Sequence, residues 1–143
     1  MYLAMFKGDG NFIDYLIRKR TKSQYSHVEL VIDIDEQDNM LCLSSKPMQG
    51  VRCDLIRYNK QNWELIEIDE RRFNTREQIF SYYYETKGAW YDYLGVLAFI
   101  CKTEEDPRKY FCSEWIGRAL GIKDSNTLTP YDLYSKVKYL NNI

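Results

Sequence analysis

The apolar side chains of this chain keep a strand period from Tyr25 to Ile68 and turn helical after Asp69, and that arrangement leaves few folds open. Between Tyr25 and Ile68 they alternate in short runs: His27 to Ile34, Met40 to Leu43, Val51 to Cys53, and Trp63 to Ile68. Alternation sends successive side chains to opposite faces, which is the pattern of strands. Polar turns at Glu36-Gln37-Asp38-Asn39 and between Pro47 and Gly50 separate the runs. An antiparallel meander is therefore expected rather than β-α-β units. Tyr2 to Phe6 alternates weakly and predicts a short first strand.

Helical signals surround this block. Asn11 caps a helix whose apolar face is Phe12, Ile13, Leu16 and Ile17. The basic run Arg18-Lys19-Arg20-Thr21-Lys22 closes it, reading as cations that complement a helix C-terminus. Beyond Asp69, Asn74 or Thr75 caps a helix through Ile79, Tyr82, Tyr83 and Tyr84 towards Gly88. Three consecutive tyrosines cannot all face inward, so at least one is exposed. A second stretch runs from Tyr91-Asp92, with Asp92 as N-cap, to Cys101, and a charged loop with Pro107 spans Lys102 to Lys109. A third helix covers Cys112 to Leu120 and stops at Gly121, suited to a left-handed C′ position. Thr129 as N-cap and Pro130 in the first turn open the last helix. Strands first and helices after define an α+β class. At 143 residues without repeat or linker, residues 1–143 read as one domain.

Composition removes several function classes. With 20 basic and 21 acidic side chains the net charge is −1, so neither a nucleic acid nor an anionic membrane is favoured by bulk electrostatics. Cys42, Cys53, Cys101 and Cys112 form no C-x-x-C pair, and one histidine cannot complete a Cys/His metal cluster; no metal and no cofactor are expected. Cys42, Cys53 and Cys101 sit in apolar or strand contexts and read as small core residues. The first residues lack a secretory leader, and the longest apolar run, Gly95 to Cys101, is too short for a membrane span. A reducing, cytoplasmic location is the expectation.

The chemistry-bearing residues are few. The single histidine, His27, opens a strand, and Cys112 opens a helix. A thiol at a helix N-terminus feels the positive end of the macrodipole, which favours thiolate, and an adjacent imidazole favours the same state. Glu29, two residues along the strand, shares the face of His27 and is placed to orient or charge-stabilise the ring. The plainer alternative is a buried structural histidine and a core cysteine. Trp115, almost one helical turn beyond Cys112, either walls a cleft or packs in the core.

Five segments together carry a family resemblance: Ser26-His27-Val28, Ser44-Ser45-Lys46-Pro47-Met48-Gln49-Gly50-Val51, Tyr91-Asp92-Tyr93-Leu94-Gly95, Cys112-Ser113-Glu114 and Leu128-Thr129-Pro130. Their order resembles the circularly permuted NlpC/P60 superfamily of papain-like cysteine hydrolases, including YiiX-like proteins and small phage-encoded members. The resemblance implies an antiparallel meander or half-barrel packed against helices, with the histidine strand before the cysteine helix. It makes Cys112 the nucleophile and His27 the general base and acid. Relatives often carry a glutamate on the next strand, where this chain has Ser44 and Ser45. The third role then falls to Glu29, to the Ser44 hydroxyl or to a backbone carbonyl. Ser44, Trp115 and Tyr91 are the expected substrate-binding residues.

The implied activity is hydrolysis of an amide bond, in a peptide or a peptidoglycan-type crosslink, through a thioester. The same pair serves an ester or lipid hydrolase or an acyltransferase, and the fold can also persist as an idle binding or host-interaction module. The expected partner is a peptide-like or acyl substrate, met in the host cytoplasm if the protein is phage-encoded.

Overall fold

A computed structural model of the chain describes residues 1–46, 49–88 and 111–143. Five strands and four α-helices are laid out along these described residues in an α+β order. Strand β1 (Tyr2–Phe6) and helix α1 (Phe12–Thr21) come first. Strands β2 (His27–Ile34), β3 (Asn39–Lys46), β4 (Gly50–Arg57) and β5 (Trp63–Glu67) follow, then helices α2 (Arg76–Thr86), α3 (Phe111–Ala119) and α4 (Pro130–Asn141). The helical stretch expected from Tyr91 to Cys101, its N-cap Asp92 and the loop from Lys102 to Lys109 lie outside the described residues.

The strands form an antiparallel sheet in the order β4-β3-β2-β1-β5. Only β2, β3 and β4 are a meander. The fourth run of the expected meander, β5, does not pair with β4 but returns to β1, with Tyr2 opposite Glu67 and Phe6 opposite Trp63. That placement puts β1 inside the sheet, which suits its buried Leu3, Ala4 and Met5. The two later strands of the meander also run longer than their apolar runs suggested. Ladder pairing from Asn39↔Arg57 to Lys46↔Gly50 carries polar Asp54 and exposed Leu55 along as an edge strand.

β2 is buried on both faces, as a central strand must be. Val28, Leu30 and Ile32 face the helices and join Ile79, Trp115, Ile116, Leu120, Leu133 and Val137 in the main core. Val31 faces the other way, against Ala4, Met40, Cys42 and Trp63. Burying each large aliphatic side chain contributes about 2 kcal/mol. α3 lies over β2 and β3, and that packing sets where its first turn ends up.

Local chemistry places the helices. Asn11 with Asp14, Thr75 with Gln78, and Thr129 with Asp132 form three capping boxes, each satisfying otherwise orphaned N–H groups. Asn74, the other candidate cap for α2, instead works on α3: its Nδ2 donates to the Ala119 carbonyl at 3.1 Å and its backbone N–H donates to the Leu120 carbonyl. Gly121 lies against it at φ +76°, where a Cβ would stand 2.7 Å from Asn74 Oδ1. Of the three tyrosines in α2, Tyr84 is the exposed one and Tyr83 is buried.

Candidate active site

His27 is the first residue of β2, so its ring stands at the end of the sheet. Phe6 pairs with it on one side and Trp63 lies beyond Phe6. The indole meets the imidazole edge-on, with centroids 6.5 Å apart at 68°. His27 Nε2 and Glu29 Oε1 are 2.6 Å apart. Residues two apart on a strand point the same way, and here the longer glutamate leans back along the strand to reach the ring. With Nε2 bonded to the carboxylate, Nδ1 is the nitrogen left for a second partner.

Cys112 lies against the same ring. It is the second residue of α3, within the turn whose N–H groups have no intrahelical acceptor, and its side chain interacts with the His27 imidazole by hydrogen bonding and by charge. The sulfur-bearing residue is 7% exposed and the histidine side chain 14%, so the pair lies just beneath the surface. The two sequence-distant groups meet.

Glu29 is 1% exposed, and a carboxylate so placed needs more than one partner. Arg52, on β4, supplies the rest. Its Nη1 donates to Glu29 Oε2 at 2.8 Å and its Nη2 donates to Glu29 Oε1. Its Nε lies 2.9 Å from Asp54 Oδ2 but off the N–H axis, so that contact is an ion pair without a hydrogen bond. The reach across the sheet follows from register. Leu30 pairs with Leu43, and one step further sets Glu29 beside Ser44, which itself pairs with Arg52. The residue between the charges is small, and the guanidinium passes over it.

The electrostatics follow from these contacts. Burial by itself opposes an imidazolium at His27, but attraction to Cys112 and then to Glu29 outweighs it and holds the pKa up at about 10. Burial likewise opposes a charged Glu29, and the His27 charge together with the Arg52 hydrogen bond overcomes it, bringing the carboxyl down to about 2. Cys42, on the same sheet, goes the other way: burial pushes its thiol up, and the Glu29 charge adds to that. The site therefore favours a charged ring next to Cys112, while Cys42 remains a neutral thiol.

The other expected site residues sit differently. Ser44 is fully buried, and its hydroxyl donates to the Val28 carbonyl at 2.8 Å. It has neither surface for a substrate nor a bond to the ring; its part is as spacer between Glu29 and Arg52. Trp115 is 1% exposed, stacks on Tyr82 with centroids 5.6 Å apart, and donates from Nε1 to Thr86 Oγ1 at 2.9 Å. It is a core residue, not a cleft wall. Tyr91 lies outside the described residues, as does Cys101, while Cys42 and Cys53 carry free thiols. Sequence reasoning missed Arg52. Its signal was a cation between Val51 and Cys53 in a strand facing the Ser44-Ser45 pair, readable only once register is known.

Among the described residues no group of three or more His, Cys, Asp or Glu side chains is arranged to hold a metal ion. A depression of about 470 Å³ lies at the opposite end of β1 from His27, lined by Met1, Glu67, Ile68, Asp69, Glu70, Arg71 and Asn141, and brings no nucleophile with it. Among the described residues no helix is long and apolar enough to cross a membrane. No family model and no curated protein matches the chain.

Proposed function

We propose that the protein is a cysteine hydrolase that cleaves an amide bond, of a peptide or of a peptidoglycan-type crosslink, through a thioester. The observation that carries this reading is the contact of Cys112 with a histidine whose far nitrogen is held by a buried carboxylate. The Cys112 sulfur attacks the substrate carbonyl carbon, and the oxyanion that forms takes a hydrogen bond from the first-turn N–H of Cys112. His27 gives its proton to the departing amine as the C–N bond breaks. It then takes a proton from water, whose oxygen attacks the thioester carbonyl; the C–S bond breaks, releasing the acid and leaving the Cys112 thiolate beside the recharged imidazolium. Glu29 keeps the ring oriented throughout and favours its protonated form whenever a proton is available. The strand-then-helix order of His27 and Cys112 is that of permuted NlpC/P60 hydrolases, and we place the chain with them, as a half-barrel of that type.

The test is a panel of electrophilic acyl probes read by intact mass. A single adduct on Cys112, absent in Cys112→Ala and slowed in His27→Ala, is the expected result. Paired amide and ester substrates with the same acyl group then assign the leaving group. Absence of any adduct at Cys112 with every probe would overturn the enzyme reading and leave a binding or host-interaction module.

A further inference from the structure

We propose that Arg52 is a positioning residue, whose fork on Glu29 fixes the carboxylate that in turn fixes the His27 ring towards Cys112. The proposal rests on the hydrolase reading for its kinetic consequence alone. Three strands contribute: His27 and Glu29 from β2, the small Ser44 from β3, and Arg52 with Asp54 from β4.

The physical argument starts from rotation. A glutamate held at one oxygen pivots about its terminal bond, and the imidazole it holds pivots with it. The guanidinium bonds both oxygens of Glu29, Nη1 to Oε2 and Nη2 to Oε1, so the carboxylate plane is set from the side away from the ring. Oε1 then faces His27 Nε2 at 2.6 Å in one orientation. The ring so held is the one that Cys112 lies against. Asp54 closes the chain from the outside, 2.9 Å from Arg52 Nε, where its own side chain is 48% exposed.

A merely structural reading of Arg52 accounts for less. Charged groups removed from water carry a desolvation cost, and an apolar set of similar volume commonly replaces a buried ion pair without loss of stability. Arg52 is 11% exposed along its side chain, so it does not reach out for a substrate. What the fork adds beyond packing is direction, delivered to the one group next to the nucleophile.

His27 is the only histidine, so one imidazole gives the whole ¹⁵N spectrum of that kind. The experiment measures the His27 Nε2–H resonance and the iodoacetamide rate at Cys112, in wild type, Arg52→Gln and Arg52→Lys, each in His27 and His27→Ala backgrounds. In the His27 background Arg52→Gln should broaden or remove the Nε2–H signal and slow Cys112 alkylation about tenfold. Arg52→Lys, which keeps the charge but not the fork, should fall between. In the His27→Ala background Arg52→Gln should change the rate by no more than about twofold, because the residue through which it acts is gone. Equal slowing in both backgrounds, or an unchanged Nε2–H signal in Arg52→Gln, would overturn the proposal. Should Arg52→Gln fail to fold, Arg52→Lys decides alone by the same two readouts. If wild-type Cys112 reacts no faster than Cys42 and Cys53, the hydrolase reading fails, and the imidazole resonance still decides the role of Arg52.

Discussion

Glu29 holds His27 from two positions along the same strand, with 2.6 Å between Oε1 and Nε2. The carboxylate and the imidazole it holds are local in sequence, while the neighbouring strands supply Ser44 and Arg52.

Glu29→Gln retains the shape of the acid and removes its charge. Losing an anion beside the imidazole lowers the proton affinity of His27, which Glu29 helps to raise. Cys112 alkylation near neutral pH should slow roughly 10- to 100-fold, the scale of a disturbed general base. Iodoacetamide kinetics followed by intact mass check this; an unchanged rate would remove Glu29 from the site.

Stability should show a plateau between about pH 4.5 and 6.5. The folded pKa of His27 is raised from 6.5 to about 10, so its contribution is complete below 6.5 and is lost as pH climbs towards 10. The folded pKa of Glu29 is lowered from 4.5 to about 2, so its contribution is complete above 4.5 and is lost as pH falls towards 2. Urea unfolding across pH 3 to 10 measures both arms. His27→Ala should flatten the alkaline one, and an alkaline arm of unchanged slope in that variant would contradict the assignment.

Ser44→Ala should cost about 1 kcal/mol, the worth of its hydrogen bond to the Val28 carbonyl, with Cys112 reactivity nearly intact. Ser44→Leu should reduce that reactivity far more, because a long side chain stands in the path of Arg52 to Glu29. Comparing the two variants by denaturant midpoint and alkylation rate separates the spacer role from substrate contact. Equal reactivity in both would end the spacer account.

Trp115→Phe should destabilise the protein by about 1–3 kcal/mol through the lost Nε1–H bond to Thr86 and a small void. Thermal unfolding reports this. Probe labelling of the folded fraction should keep its concentration dependence; a weakened apparent affinity would return Trp115 to the substrate cleft.

Much of this protein is written locally. Asn11, Thr75, Thr129 and Pro130 mark helix starts because a capping side chain bonds N–H groups two or three residues away. The period-two runs mark strands, and the two-residue spacing of His27 and Glu29 places both on one face whatever the sheet does around them. Long-range placement is another matter. Nothing in the composition of Trp63 to Glu67 says that it joins β1 rather than β4, since either edge would bury its apolar face. Nor does anything near Val51 announce that Arg52 will span Ser44 to reach Glu29. That bridge depends on a β3–β4 register and a β2–β3 register holding together, and a slip of one residue in either would turn Arg52 or Glu29 to the other face. Packing of α3 on β2 and β3 brings Cys112 to the end of the sheet, 85 residues from His27 along the chain (112 − 27). Local hydrogen bonding and side-chain alternation are properties of neighbours; register and helix docking emerge when the whole core is buried at once.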